Sequence, residues 1–411
     1  MKFFNVKTVQ ETLSIIREYY KPFRKPVLVS LQDSLGRVLA EDVYSTENVP
    51  PFARSTVDGF AVLARDTYGA SDSLPAFLDV TGRIEMGKAA DLPLYEGQAQ
   101  YIPTGGMLPP GADSIVMIEH VEELGNNLLN VYKQVAPGEN IVQAGDDVRE
   151  GELVMKAGRR LRPQDLGVLS SIGQTEVKVF PRPVVGILST GDEIVPPEKK
   201  ALSPGEVRDI NGVTIGAAAG EYGAEVIYAG IVRDDYEEFL QRAKELFEQV
   251  DFMLLSGGSS VGTRDFTVQV LAALGDPGVL VHGVSIKPGK PTILAKAGEK
   301  PIMGLPGHPA SAMVIFDLFG IPILEQIEGV VQELPDTRLD ARISRNIPSA
   351  VGRSDYVRVR LEERGHELWA VPVFGKSGLI STMADSHGIV EIAANKEGIL
   401  EGQMVKVKLF S

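Results

Sequence analysis

The chain of 411 residues contains no cysteine. It therefore cannot form a disulfide framework, a zinc or iron–sulfur centre with cysteine ligands, or a thiol nucleophile. If the protein handles a metal that prefers sulfur ligands, another molecule has to supply the sulfur.

A long uninterrupted apolar run is also missing. The N-terminal segment MKFFNVKTVQETL lacks the apolar run of a signal peptide. The most apolar stretch, residues 302–324, is interrupted by prolines, His308 and Asp317. We therefore expect a cytoplasmic protein with no membrane span.

Positive charge is scarce. The chain has 41 Lys and Arg against 55 Asp and Glu, which gives a formal net charge of −14. A negative field of this size repels nucleic-acid phosphates and anionic lipids, so we expect no nucleic-acid partner. With 44% hydrophobic and 23% charged residues, the composition is that of a soluble globular protein. The length fits roughly two to four domains.

The first half of the chain changes its pattern twice. Thr8 to Glu11 fits a capping box, and the apolar spacing that follows predicts a helix over about 8–20. From about 46 to 144, short apolar runs separated by turn-forming Gly and Pro residues predict a β-rich module. Pro163 is placed to begin a helix that ends near Ile172, and 176–180 is typical of a strand.

In the second half, strand-like and helix-like segments alternate more regularly. Short, nearly continuous apolar strands at 183–188, 224–232, 251–255 and 300–305 are separated by amphipathic helical stretches such as 236–248. This alternation predicts a parallel sheet covered by helices on both faces. After about 329, period-two alternation at 355–362, 367–374, 388–393 and 403–409 predicts a small antiparallel β unit. Trp369 lies in one of these strands, and we expect it in the core.

The loops that leave the predicted parallel strands should meet at one sheet edge. Two of them, 256–263 and 306–311, are rich in small residues whose backbone amides can approach a phosphate. The first loop has Asp192 where a P-loop would have its lysine, so it is not a Walker motif. Four acids are suitable oxygen donors for Mg²⁺, or alternatively act as helix caps and first-turn acids: Asp192, Glu193, Asp234 and Asp265.

Basic residues are informative where they cluster. Lys287-Pro288-Gly289-Lys290-Pro291 places two ammonium groups on a turn stiffened by prolines, which suits a small oxyanion. The alternative is an exposed turn with solvated lysines. By strand alternation Arg358 lies opposite the predicted core face, which leaves a solvated arginine as the simpler interpretation. Asp58-Gly59 by itself is typical of a turn.

Together these segments resemble the molybdopterin molybdenumtransferase family, which completes molybdenum-cofactor synthesis and is related to the E domain of gephyrin. The resemblance runs nearly end to end, and its specificity lies in the order and spacing of the motifs. They are STVDGFA (55–61), PTGGMLPPGADSIVMIE (103–119), GDD (145–147), STGDEI (189–194), SGGSSVGTRD (256–265), IKPGKP (286–291) and GLPGHPAS (304–311).

The resemblance implies a multidomain α/β homodimer. The domains would be a discontinuous linker domain (1–45 and 145–180), an inserted β-rich domain (46–144), a doubly wound, mostly parallel α/β domain similar to molybdopterin adenylyltransferase (181–328), and a C-terminal β-barrel (329–411). Molybdopterin adenylyltransferase and proteins that accept the finished cofactor are further partners that the family suggests.

The reaction implied by the resemblance converts adenylylated molybdopterin and molybdate into molybdenum cofactor and AMP, assisted by Mg²⁺. Carried over by motif, the metal-side acids are Asp192, Glu193 and Asp265, with Asp234 nearby. The molybdate and phosphate side comprises Ser256, Gly257, Gly258, Ser260, Lys287, Lys290, Pro291, Ser311, Arg358 and Ser377. Asp58, Thr104 and Asp147 match positions where the inserted domain of the other protomer closes the cleft. With Asp234, Asp265 and Lys287 they form the catalytic set that the resemblance implies.

Two other functions compete with this interpretation. An adenylyltransferase would use the same α/β domain to make the adenylylated pterin, although the additional β modules and the 287–291 turn argue against it. A non-catalytic scaffold that binds partner peptides, of the gephyrin E type, is the second alternative.

Overall fold

The fold is described by a computed structural model covering residues 6–257, 263–331, 338–376 and 378–410, with the backbone alone for 263–265. The first elements are α1 (Val9–Tyr19), β1 (Val27–Ser30), β2 (Val43–Tyr44) and β3 (Arg54–Ser55). The predicted capping box is present, because the Thr8 hydroxyl accepts the Glu11 N–H and the Glu11 carboxylate accepts the Thr8 N–H. The buried face of α1, with Val9 and Ile16, packs into the core of the later α/β unit.

The inserted segment is β-rich, as predicted. Its six strands form one sheet in the order β7-β4-β6-β5-β9-β8. All its pairings are antiparallel except that between β5 and β6. Its core contains Phe60, Leu78, Val116 and Leu129. The strands are β4 (Gly59–Val62), β5 (Ala76–Arg83), β6 (Gln98–Ile102), β7 (Ser114–Met117), β8 (Val121–Gly125) and β9 (Leu128–Val131).

After the inserted segment, the chain packs against the segment that precedes the insertion. The returning elements are β10 (Ile141–Val142), β11 (Leu153–Met155), α2 (Pro163–Ser171) and β12 (Glu176–Val179). Strands β10, β11 and β12 pair antiparallel with β3, β2 and β1, so two stretches distant in sequence form one unit. Pro163 occupies the first turn of α2, where its missing N–H has no acceptor to lose.

Asp165, in the first turn of α2, is nearly fully buried. Burial opposes its ionisation, but hydrogen bonds from the guanidinium groups of Arg162 and Arg159 outweigh burial and lower its pKa to about 2. A carboxyl whose pKa is depressed by folding stabilises the fold above its unfolded pKa, and that contribution is lost as pH falls through the folded value.

We therefore expect the wild-type chain to lose about 2 kcal/mol of unfolding free energy between pH 4 and pH 2 through Asp165 alone. Urea unfolding at a series of pH values measures this as the difference between wild type and Asp165→Asn. The difference should be largest near pH 5 and shrink below pH 3. A difference that does not change with pH would show that the ionised carboxylate contributes nothing.

The α/β unit contains the predicted sheet. Its helices are α3 (Asn211–Tyr222), α4 (Tyr236–Gln249), α5 (Thr263–Leu274), α6 (Pro309–Ile315) and α7 (Ile321–Ile327). Its strands are β13 (Val184–Thr190), β14 (Ile194–Val195), β15 (Val207–Arg208), β16 (Glu225–Val232), β17 (Phe252–Gly257), β18 (Pro277–His282), β19 (Ile286–Lys287), β20 (Ile293–Ala297) and β21 (Lys300–Leu305).

Six of these strands form a sheet in the order β16-β13-β17-β21-β20-β18. The first four are parallel, and β20 and β18 are antiparallel to their neighbours. One face is covered by α1, α3, α6 and α7, and the other by α4 and α5. The mostly parallel, doubly covered sheet is therefore confirmed.

Helices α6 and α7 are joined through a π-helical stretch, Phe316–Gly320. The continuous helix Pro309–Ile327 has 19 residues and is apolar enough to cross a membrane by length and composition. It is instead a core helix, because 61% of its apolar window is buried inside the protein. Val314, Ile315 and Phe319 lie in the hydrophobic core beneath the sheet.

The C-terminal unit is a closed barrel. It contains β22 (Arg338–Ile343), β23 (Ile347–Pro348), β24 (Ser354–Arg364), β25 (Glu367–Pro372), α8 (Ser381–Ala384), β26 (Gly388–Ile392), β27 (Gly398–Ile399) and β28 (Met404–Leu409). Strands β24, β25, β22, β28 and β26 follow one another, and β26 pairs back with β24 to close the barrel. The prediction for Trp369 is wrong: the ring is only partly buried, and the Arg364 guanidinium lies 5.1 Å from its centroid.

Strand β19 links the α/β unit to this barrel. It leaves the α/β unit and pairs in parallel with β24, with Lys287 opposite Asp355. The turn that carries the two lysines is therefore held against the barrel by backbone hydrogen bonds, and it lies between the two units.

Candidate functional site

The strands β13, β16, β17 and β21 end at one edge of the sheet, where their loops meet. Ser256 and Gly257, at the end of β17, line a small cleft of about 30 Å³. The cleft is also lined by Thr190 from β13 and by Pro306 from the loop after β21. Ser256 and Gly257, the first residues of the first predicted phosphate loop, thus lie beside the 306–311 loop.

A larger cavity of about 880 Å³ lies between the α/β unit and the barrel, and we call it the oxyanion cavity. It brings together five of the residues predicted to bind molybdate and phosphate. They are Lys287, Lys290, Pro291, Ser311 and Arg358. Pro291, Pro306 and Gly307 line both this cavity and the small cleft, so the basic turn is adjacent to the cleft at Ser256 and Gly257.

The oxyanion cavity is strongly basic. Five cationic side chains line it, and among the described residues Asp355 is its one acidic lining residue. Asp355 is buried and accepts a hydrogen bond from Arg353 at 2.9 Å, with the Lys287 ammonium 3.7 Å away. The sequence analysis did not identify Arg353, Lys376 or His308 as site residues, yet all three line the cavity. The excess of positive charge suits a dianion.

The surroundings of Arg358 indicate that its guanidinium binds an anion. Burial lowers the pKa of its guanidinium. Its Nη2 donates to the Gly375 carbonyl at 3.3 Å, while Nη1 is buried without a hydrogen-bond partner. A buried guanidinium nitrogen without an acceptor is costly, so this donor is prepared for an anion that enters the cavity. The simpler interpretation of Arg358 as a solvated surface arginine is wrong.

Asn211 connects the loops of the site and was missed in the sequence analysis. It is buried at the start of α3, where its Nδ2 donates to Ser256 Oγ at 2.8 Å and to the Gly307 carbonyl at 3.1 Å. Neighbouring Asp209, also buried, accepts hydrogen bonds from Ser189 and Tyr228. In a sequence, an Asp or Asn just before a helix is typical of a helix cap. That interpretation gives no indication that the side chain holds two loops together.

The acids Asp192, Glu193 and Asp234 lie near one another at the ends of β13 and β16. The Asp234 backbone N–H donates to Asp192 Oδ1 at 3.2 Å. Burial, and then the charges of Asp192 and Glu193, raise the pKa of Asp234. In the part of the chain that the structure describes, no three His, Asp or Glu side chains form a preassembled metal cage. Two or three carboxylates without a cage nevertheless fit Mg²⁺, which keeps several waters and shares its coordination with substrate phosphates.

The inserted domain carries a separate cluster. Asp58 Oδ1 accepts hydrogen bonds from the Thr104 N–H at 2.7 Å and the Thr104 hydroxyl at 3.0 Å, and these bonds lower the Asp58 pKa. Asp147 is exposed. None of the three lines the oxyanion cavity of its own chain. Gly258, Ser260, Ser377 and the Asp265 side chain lie outside the described residues.

Three family models together match most of the chain. They are described as the MoeA N-terminal region (domain I and II) at residues 7–173, a probable molybdopterin binding domain at 186–326, and the MoeA C-terminal region (domain IV) at 340–410. The fold and the site thus define a multidomain protein built around an α/β domain of the molybdopterin-binding type.

Comparison with individual proteins leads to the particular family. A molybdopterin molybdenumtransferase of Bacillus subtilis is 34% identical over 93% of this chain and 89% of its own length. One from Staphylococcus aureus strain Mu50 is 31% identical over 93% of this chain and 91% of its own length. Two structures of the molybdopterin biosynthesis MoeA protein from Pyrococcus horikoshii cover 99% of this chain and 100% of theirs, with TM-scores of 0.81 and 0.85 at 37% and 29% identity. The chain belongs to the MoeA family.

Proposed function

We propose that this MoeA-family chain is a molybdopterin molybdenumtransferase, which joins molybdate to adenylylated molybdopterin and releases AMP. The observation that carries the proposal is the unpartnered, buried Nη1 of Arg358 in a cavity lined by five cationic side chains. A chain with a net charge of −14 has concentrated positive charge where a small dianion would bind.

We assign separate tasks to neighbouring residues. Lys290, Arg358 and the buried Ser311 hydroxyl would hold molybdate by charge and hydrogen bonds. Ser256 and Gly257 face the shared wall of Pro306 and Gly307, where phosphates of the adenylylated pterin can contact backbone amides. Holding both anions in one place removes the entropic and repulsive cost of bringing them together, a contribution of several kcal/mol. The pterin supplies the sulfur ligands that this cysteine-free chain lacks.

Mg²⁺ fits beside the phosphate region. Asp192, Glu193 and Asp234 would hold it, and when bound it would neutralise charge on the phosphates. Burial, and then the charges of Asp192 and Glu193, raise the pKa of Asp234, and a bound cation would relieve the repulsion between these charges.

The Mg²⁺ assignment leads to a measurable expectation. Millimolar Mg²⁺ should raise the unfolding temperature of the wild type, and the rise should be at least halved in Asp234→Asn. Without Mg²⁺ the variant should be at least as stable as the wild type at pH 7, because a repelled negative charge has been removed. Asp72→Asn, an exposed acid of the inserted domain, serves as the control. Equal Mg²⁺ responses in all three proteins would contradict the assignment.

We further propose that the enzyme works as a cytoplasmic homodimer. Asp58, Thr104 and Asp147 do not line the oxyanion cavity of their own chain, so a second copy is the source from which they would complete the site. Molybdopterin adenylyltransferase, which supplies the substrate, and proteins that accept the cofactor are the partners this reaction requires.

The function is tested with purified protein, adenylylated molybdopterin and Mg²⁺. AMP release should depend on molybdate and be accompanied by formation of molybdenum cofactor. An adenylyltransferase would instead consume ATP and unmodified molybdopterin, and a scaffold would do neither. AMP release that is equally fast without molybdate would refute the proposal.

A further inference from the structure

A second basic cavity of about 580 Å³ lies on the other side of Tyr356, which lines both cavities. We call it the arginine cavity. Its walls come from four regions distant in sequence: helix α1, the segment 159–162, the α6–α7 helix and the barrel strands β22, β24, β26 and β28. Neither the motifs of the sequence analysis nor the proposed reaction uses it.

The lining is again mostly cationic. Of the described residues in its walls, seven are Lys or Arg and three are Asp or Glu. Five of the seven are arginines, including Arg159, Arg160 and Arg162 from one short segment. Lys406 and Lys408 on β28 also line it. Arginine is the side chain best suited to bind phosphate or carboxylate through two parallel hydrogen bonds.

Ion pairs hold several of these side chains in place. Asp165 accepts hydrogen bonds from Arg159 and Arg162, and Glu328 from Arg160 at 2.6 Å. Asp317, one of the three lining acids, accepts a hydrogen bond from Lys408 at 2.8 Å. Arg17, Arg338 and Glu325, which also line the cavity, have interaction partners as well.

Two donors of the cavity remain unused. Arg159 Nε is buried and has no hydrogen-bond partner. Lys406, which stands opposite Asp340 in the register of β22 and β28, forms no ion pair with an acid in the described ranges. A buried guanidinium nitrogen with no acceptor is unfavourable, and an entering anion would satisfy it.

We propose that the arginine cavity binds a small polyanion that carries phosphate groups. The volume leaves room for a ligand larger than pyrophosphate, and the guanidinium groups match phosphate oxygens. The bound anion bridges the 159–162 segment, α1 and the barrel strand β28, so it stabilises the packing of the barrel against the rest of the chain. Tyr356 lines both this cavity and the oxyanion cavity, which gives a short route for an effect on the proposed reaction. The binding itself does not depend on the proposed function.

The test titrates full-length protein with pyrophosphate and with inorganic phosphate, at constant ionic strength set with sodium chloride. Calorimetry and thermal unfolding should both detect pyrophosphate, with a higher unfolding temperature than chloride gives. Lys406→Ala and Lys406→Gln should each weaken pyrophosphate binding about 5- to 10-fold. Because Lys406 is exposed, we expect both variants to fold.

Two controls separate the possible sites. Lys396→Ala, an exposed lysine outside both cavities, should bind pyrophosphate like the wild type. Arg358→Ala should also retain this binding, since Arg358 lines the other cavity. The proposal is overturned if Lys406 variants bind normally, if Arg358→Ala alone abolishes binding, or if chloride stabilises the protein as well as pyrophosphate does. AMP release under the same conditions tests the proposed function separately.

Discussion

Arg358→Ala is expected to lower kcat/KM for molybdate by about 100- to 1000-fold. The guanidinium is half-buried, its Nη1 has no partner, and burial alone lowers its pKa. All of this indicates a charge held ready for an anion. The loss should be mainly a higher KM for molybdate, because the substitution leaves the glycine-rich loop and Asn211 unchanged. Initial rates of AMP release over a range of molybdate concentrations measure it.

A matched control lies two residues further along the same strand. Arg360 is exposed and donates to Glu362 at 2.6 Å, and it does not line the oxyanion cavity. Arg360→Ala should change kcat/KM by less than about twofold, since exposed ion pairs contribute little. Similar losses in the two variants would mean that general surface charge, and not the cavity, attracts molybdate.

Gly257→Ala is expected to disable the phosphate side of the site. A Cβ on Gly257 would lie 2.0 Å from the Thr190 carbonyl oxygen, and the residue has φ +134°, a conformation that L side chains rarely adopt. Since Gly257 pairs with Thr190 in the sheet, the strands would have to separate where the loops meet. We expect a loss of about 2 to 5 kcal/mol in unfolding free energy and about 100-fold in kcat.

Urea unfolding and AMP-release kinetics measure the two effects of Gly257→Ala. Gly223→Ala is the control, because Gly223 has φ +110° but open space around its would-be Cβ. It should lose about 1 kcal/mol and keep its activity. If Gly257→Ala unfolds at the same urea concentration as the wild type and releases AMP at the wild-type rate, the close approach of β13 and β17 does not determine the shape of the loop.

The local features were the ones that the sequence predicted well. The capping box at Thr8, the helix from Pro163 and the apolar strands before Ser189 and Ser256 all depend on neighbouring residues and on simple periodicity. The parallel sheet followed from these strands, and so did the meeting of their loops at one edge. Lys287 and Lys290 were identified because basic residues are rare in this chain.

The residues that the sequence did not reveal depend on contacts between distant segments. Arg353 and Lys376 reach the oxyanion cavity only because β19 joins the barrel sheet beside β24. Asn211 acts through Ser256 and Gly307, which no local pattern associates with it. The core position predicted for Trp369 is wrong because alternation predicts only which face of the strand a residue occupies. How far the Trp369 ring is buried depends on the closure of the barrel and on the Arg364 guanidinium stacked over the ring.

Anomalous diffraction at the molybdenum edge, from crystals soaked in molybdate, would locate the bound oxyanion. We predict one strong peak in the oxyanion cavity, within hydrogen-bond distance of Lys290, Ser311 and Arg358, and its loss in crystals of Arg358→Ala. A molybdenum peak in the arginine cavity alone, or a peak beside Arg358 that survives its replacement, would contradict the account.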